Sequence, residues 1–196
     1  TSEVTITVLD TVYAQHALGK EATAWANTFQ AGSGEAENAV DEDSQTVWHS
    51  KWTGFDVSES NPAIITVDLG EVQDLCGFTF QNRPSGTNGI IVNYEYTVGT
   101  TYDSETNTVG GENALTGSAT SNNQNAGGWA QLLFETRSSN VPVRYIQIKV
   151  TKGMANFASI AEIRGLQALT VTNEASLSNV TLKIGEYTLM QPVIPE

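Results

Sequence analysis

Two stretches of near-strict alternation constrain this chain more than any other feature. In Ile90-Ile91-Val92-Asn93-Tyr94-Glu95-Tyr96-Thr97-Val98 the even positions are apolar, while Asn93, Glu95 and Thr97 face the other way. In residues 143–150, Ile146, Ile148 and Val150 share one side and Tyr145, Gln147 and Lys149 the other. A period of two marks a half-buried strand. Residues 63–69 and Gly77–Gln81 read as further strands, bounded by Asn61-Pro62, Gly70 and the Arg83-Pro84-Ser85-Gly86 turn. Helical periodicity is nearly absent. Residues 110–128, rich in Gly, Asn, Ser and Thr, read as a long exposed loop. Short strands punctuated by Gly, Pro and Asn turns predict an all-β chain, an antiparallel β-sandwich of the jelly-roll kind.

A length of 196 residues allows one main domain and an appendage. The sandwich is expected over residues 21–165. Residues 1–20, with an alternating run at 4–8, form an N-terminal strand or linker. Residues 166–196 hold one or two strand-like runs at 177–189 and end on Pro192 and Pro195. They are either the edge of this domain or the start of a neighbour.

Charge and cysteine usage narrow the partners. A net charge of −13, from 22 acidic and 9 basic residues, repels phosphate backbones and anionic lipid, so nucleic acid and acidic membranes are poor partners. No run of about 18 apolar residues exists, which argues against membrane insertion. The single cysteine, Cys76, lies among Leu75, Gly77 and Phe78 and reads as a buried thiol without a disulfide. Few lysines and many Thr, Asn, Gly and Ser residues point to an extracellular bacterial module, secreted or held at the cell surface. Thr1-Ser2-Glu3 begins nothing like a signal peptide, so a targeting segment is expected outside this sequence.

No G-x-S-x-G, H-E-x-x-H, P-loop or G-x-G-x-x-G is present, and there are only two histidines, His16 and His49. The chain therefore reads as non-catalytic. Its chemistry concentrates in one region: the acidic run Asp41-Glu42-Asp43-Ser44-Gln45-Thr46 is followed by Trp48-His49-Ser50-Lys51-Trp52. Oxygen donors at alternate positions suit calcium, which takes six to eight oxygens. The segment is no EF-hand, because Thr46 stands where the loop glycine belongs and Trp52 where the bidentate glutamate belongs. A solvent-facing histidine and two indoles supply what sugars need, a flat apolar platform beside a few directional polar groups. Trp48, ahead of a strand, is expected in the core rather than in the site.

The ordered motifs Glu37-Asn38-Ala39-Val40-Asp41, Thr46-Val47-Trp48-His49-Ser50, Ile65-Thr66-Val67-Asp68-Leu69-Gly70 and Arg144-Tyr145-Ile146-Gln147-Ile148 resemble the discoidin, or coagulation factor type C, superfamily. They are most similar to its bacterial branch, the family 32 carbohydrate-binding modules. The resemblance covers residues 21–165 and implies a discoidin-like, galactose-binding-domain-like jelly roll. It also implies a structural Ca2+ held by the carbonyl of Asn38, the carboxylate of Asp41, the carbonyl of Asp43, the carbonyl and hydroxyl of Thr46, the carbonyl of Ala161 and the carboxylate of Glu162. For the sugar it implies His49 and Arg83 at an axial 4-hydroxyl, Arg83 and Asn88 at the 3-hydroxyl, Phe157 as the stacking platform and Trp52 at the rim. The expected ligands are glycans ending in galactose, N-acetylgalactosamine or N-acetyllactosamine. The implied setting is a monomeric accessory module of a larger glycoside hydrolase. The alternative is an adhesion or protein-interaction domain of the same fold. Trp129, after the polar stretch, reads as strand-start packing before a second sugar contact.

Overall fold

A computed structural model describes residues 5–16, 22–134, 140–176, 183–184 and 187–188, with side chains over 22–134 and 140–168. The strands are β1 Thr5–His16, β2 Thr23–Ala26, β3 Trp48–His49, β4 Ala63–Leu75, β5 Gly77–Gln81, β6 Ile91–Gly99, β7 Thr101–Asp103 and β8 Thr108–Gly110. There follow β9 Leu115–Thr120, β10 Trp129–Leu133, β11 Val141–Gly153, β12 Ser159–Ile160, β13 Glu162–Ser176, β14 Lys183–Ile184 and β15 Tyr187–Thr188. Among the described residues the helical elements are short 3-10 turns, Ala36–Ala39 and Met154–Asn156.

Residues 14–168 form one compact unit. Within it a five-stranded sheet runs in the order β2-β4-β11-β6-β9, and a second layer places β5 between β13 and β10. The pairings β10–β5, β11–β4, β11–β6, β13–β5, β2–β4 and β6–β9 are all antiparallel. The alternation explains the packing: Ala63, Ile65, Val67 and Leu69 of β4 and Ile146, Ile148 and Val150 of β11 are buried on the inner face. Phe78 and Phe80 of β5 meet them from the other layer, with Phe80 5.5 Å from Tyr94 and Phe78 5.8 Å from Tyr96, both edge to face. Edge-to-face contact sets a positive ring edge against a negative ring face. The result is the all-β antiparallel sandwich that the alternation predicted.

The described residues up to 13 and from 169 onward form the other compact unit, which contains most of β1, the later length of β13 and the pair β14–β15. Of the expected strands at 177–189, Lys183–Ile184 and Tyr187–Thr188 are described and pair antiparallel. The rest of that stretch, and Pro192 and Pro195, lie outside the described residues.

Two sequence expectations change. Residues 110–128 are not one loop, because Leu115–Thr120 is an edge strand paired with β6 from Val98↔Leu115 to Asn93↔Thr120. Its inward positions are Leu115, Gly117 and Ala119, and after Leu115 they are too small to announce a buried face. The large partner is Tyr96, whose ring leaves no room for a Cβ at Gly117, the nearest atoms standing 2.7 Å away. The start of β6 also departs from its pattern, since Ile91 is buried and Val92 only half-buried. Register shifts opposite, between Val150, Lys152 and Gly153 of β11, insert an irregularity that turns Ile91 inward. Cys76 is buried, as expected.

Candidate functional site

Three segments converge around β3. Its two residues pair with β12, His49 opposite Ser159 and Trp48 opposite Ile160. Ser50 N donates to the Ala158 carbonyl and Ser159 N to the Gly89 carbonyl, both at 2.8 Å, which laces residues 48–52, 82–90 and 153–160 together. Consecutive strand residues face opposite ways, so Trp48 enters the core and His49 does not. Trp48 is fully buried and its indole Nε1 donates to the Thr28 carbonyl at 3.0 Å, which places it in the core as expected.

His49 is not solvent-facing: it is 6% exposed. Its ring stands between those of Phe157, 5.3 Å away and tilted by 52°, and Trp52, 6.2 Å away and perpendicular. Nδ1 lies 2.7 Å from the Ser50 carbonyl oxygen, which can only accept, so Nδ1 carries the proton and Nε2 keeps its lone pair. Burial pushes the imidazole pKa below its usual 6.5, and the positive charge of Arg83 adds to this, against partial opposition from the Ser50 hydrogen bond. A neutral acceptor is therefore held at neutral pH.

Arg83 is half-buried and donates from Nε to the Ser85 carbonyl and from Nη1 to the Asn88 carbonyl, each at 2.6 Å. It makes no ion pair among the described residues. Nη2 and the exposed Asn88 carboxamide have no hydrogen-bond partner among the described residues. Trp52 is 56% exposed, with its backbone N–H held by Gln30 Oε1 at 3.1 Å. Phe157 is half-buried and follows Ala155 and Asn156, both left-handed with φ of 55° and 61°. Such a conformation costs a non-glycine residue about 1 kcal/mol or more and is tolerated where surrounding contacts over-determine it. Here Asn156 carbonyl accepts from Val57 N at 2.8 Å.

The structure thus brings His49, Trp52, Arg83, Asn88 and Phe157 into one place. An acceptor at His49, donors at Arg83 and Asn88 and two aromatic rings can bracket a polyhydroxylated ring. Sequence reasoning missed Gln30, which props Trp52; Ser159, whose Oγ reaches the Asn88 carbonyl at 3.4 Å; and Asn82. Asn82 is fully buried, and its Nδ2 donates to the carbonyls of Asn123 and Asn125 at 3.0 and 3.1 Å. Only its place beside Arg83 hinted at this. Trp129 opens β10 and packs under the Arg164 guanidinium, 4.8 Å from its ring centre.

The acidic loop lies directly before β3. Thr46 Oγ1 is 2.7 Å from Asp41 Oδ2 and 2.9 Å from the Asp43 carbonyl oxygen, so three oxygens from alternate stretches of the loop converge. Asp41 Oδ1 accepts from Asp43 N, and Glu42 between them adopts φ 63°. Asn38 joins from the 3-10 turn, its Nδ2 donating to the Val47 carbonyl. Glu162 arrives from the start of β13, next to the buried Ala161. Glu162 is 2% exposed and its Oε1 has no hydrogen-bond partner among the described residues. Burial, then the negative charge of Asp41, push its pKa up to about 7, while Arg164 pulls against them. A buried carboxylate that meets a second carboxylate, Asp41, beside a ring of neutral oxygens fits a hard divalent cation. No cluster of three or more His, Cys, Asp or Glu side chains occurs among the described residues, so such a site would draw mainly on carbonyl and hydroxyl oxygens.

Known proteins share this architecture. The family 32 module of NanJ from Clostridium perfringens, solved with galactose, superposes with a TM-score of 0.61 over 80% of this chain and all of that one, at 25% identity. A module of the Clostridium perfringens protein CpGH89, CBM32-5, solved with GalNAc-β-1,3-galactose, gives 0.61 over 79% of this chain and 99% of its own, at 24% identity. A sialidase of Micromonospora viridifaciens is 34% identical over 73 residues, which is 36% of this chain and 11% of the sialidase. The F5/8 type C domain profile matches residues 21–163, from the approach to β2 to the beginning of β13, and the chain belongs to that family.

Proposed function

We propose that this chain is a non-catalytic carbohydrate-binding module that takes a terminal galactose-type sugar between His49, Arg83, Asn88, Phe157 and Trp52. The observation that carries this is that a neutral acceptor, His49 Nε2, and a donor left over on Arg83, Nη2, share one site with aromatic rings. A sugar hydroxyl can donate to the first and accept from the second at once, which an axial hydroxyl above a flat C–H face suits well. The likeness to a module solved with galactose supports the same reading.

Calcium is the structural cofactor of this reading, held by Asn38, Asp41, Asp43, Thr46, Ala161 and Glu162. Bound there it would neutralise the opposed carboxylates and clip the loop before β3 to the start of β13. The module would serve a larger secreted or surface bacterial glycoside hydrolase as a monomeric unit, in keeping with the short match to a sialidase. One sugar in an open site binds weakly, with Kd on the order of 10⁻⁴ to 10⁻³ M.

The test is a glycan array probed in calcium, followed by calorimetry with galactose and N-acetylgalactosamine. Signal confined to glycans with those termini, displaced by millimolar free galactose, supports the reading. A protein ligand undisturbed by galactose would replace it with the adhesion alternative.

A further inference from the structure

The loop between β9 and β10, residues 121–128, is fastened to the segment that carries Arg83 far more thoroughly than a connection needs. Asn82 N donates to the Gly128 carbonyl at 2.9 Å, Gly127 N to the Arg83 carbonyl at 2.7 Å and Gln81 Nε2 to the Gly127 carbonyl at 3.1 Å. The fully buried Asn82 side chain adds its two bonds to the Asn123 and Asn125 carbonyls. Within the loop, Ser121 Oγ donates to the Asn123 carbonyl at 2.7 Å and Asn125 N to Asn123 Oδ1 at 3.0 Å. Ordering that many backbone groups leaves a rigid rim rather than a free tether.

The rim adjoins the sugar site by a continuous row of contacts. His49 pairs with Ser159, Ser159 reaches the Asn88 carbonyl, Asn88 is bonded to Arg83, and the Arg83 carbonyl accepts from Gly127. At the far end of this row Asn125 is exposed, and its carboxamide has no hydrogen-bond partner among the described residues. Asn122 differs in that its Oδ1 already accepts from the backbone N–H of Gln131 at 2.9 Å. A carboxamide offers both donors and an acceptor, which is what ring hydroxyls require.

We infer that Asn125 is the contact residue of a second subsite, which takes the next pyranose of a glycan whose terminal sugar is held at His49 and Arg83. This rests on the galactose reading. The loop then sets which glycan is retained, while the first subsite sets which terminal sugar is accepted. Asn82 is a positioning residue, since it holds the rim without facing solvent.

The experiment is calorimetry in calcium with methyl β-galactoside, lactose and N-acetyllactosamine, on the wild-type chain and on Asn125→Ala. The wild type should bind at least one disaccharide about fivefold more tightly than the monosaccharide, the size of one or two good hydrogen bonds. Asn125→Ala should keep the monosaccharide Kd within twofold and lose that advantage. Amide resonances of residues 122–127 should shift with the disaccharide and not with the monosaccharide. A wild type that binds all three equally, or an advantage that survives Asn125→Ala, overturns the second subsite while leaving the first intact. Failure to bind methyl β-galactoside at all removes both.

Discussion

Arg83 holds the Asn88 carbonyl at 2.6 Å through Nη1, so the two polar residues at either end of one turn form a single preset unit. The arginine is ordered before any ligand arrives, which lowers the entropy that binding must overcome. Arg83→Ala should therefore cost at least tenfold in galactose affinity while the melting temperature moves by only a few degrees. Arg83→Lys should recover little, because one ammonium cannot reproduce a planar fork bonded to two carbonyls. Calorimetry and a thermal melt on the same samples decide it, and loss of the folding transition would sink the assignment.

Binding should depend on the protonation of His49. Its folded pKa lies below 6.5, so the ring is neutral at pH 7 and becomes charged only below that value. Protonation removes the Nε2 lone pair. Galactose affinity should be flat from about pH 7 upward and fall as pH drops below 6.5, in a titration followed by intrinsic tryptophan fluorescence. His49→Gln should bind less tightly and show a flatter profile.

The carboxyl of Glu162 gives an opposite trend in stability. Its folded pKa is raised from 4.5 to about 7, so the calcium-free fold holds a proton that the unfolded chain releases. Stability should then decline as pH rises from about 4.5 to about 7 and level off above. Calcium should reverse this, raising the melting temperature most where the carboxylate is ionised. Glu162→Gln should flatten the apo profile and abolish most of the calcium response. A melting temperature unchanged by chelator at pH 8 would remove the calcium proposal.

The β9 edge strand rests on a glycine. Gly117→Val would drive a branched side chain into the Tyr96 ring, at a cost of about 1–3 kcal/mol in a urea titration. The paired variant with Tyr96→Ala should relieve the clash, although it loses the aromatic contact. An unperturbed Gly117→Val would mean that β9 does not pack as described.

The central strands were legible because β6 and β11 pair large apolar residues with polar ones in strict turn, and burial follows that turn through Tyr94, Val98, Ile146, Ile148 and Val150. β9 was hidden because two of its three inward positions, Gly117 and Ala119, are small and the space is filled by Tyr96 from its neighbour. The bulge opposite Ile91 lies in the partner strand, where alternation in β6 has nothing to say. The burial of His49 depends on Phe157, more than a hundred residues away in the chain. For the oxygen cluster, carboxylates were visible in the sequence, but carbonyl donors can come from any residue type. The role of Asn82 depends on contacts with a loop some forty residues on.

Gly153 closes the turn that leads to Phe157, and a Cβ there would collide with the Phe157 carbonyl oxygen. The constraint falls on the backbone of residue 157 and leaves its side chain untouched. An exchange of one flat side chain for another at position 157 would change the ring beside His49 while the frame that aims it stays fixed. Such a division lets drift or a selection library retune the preferred ligand without disturbing the rest of the sandwich, provided that residue 153 remains glycine.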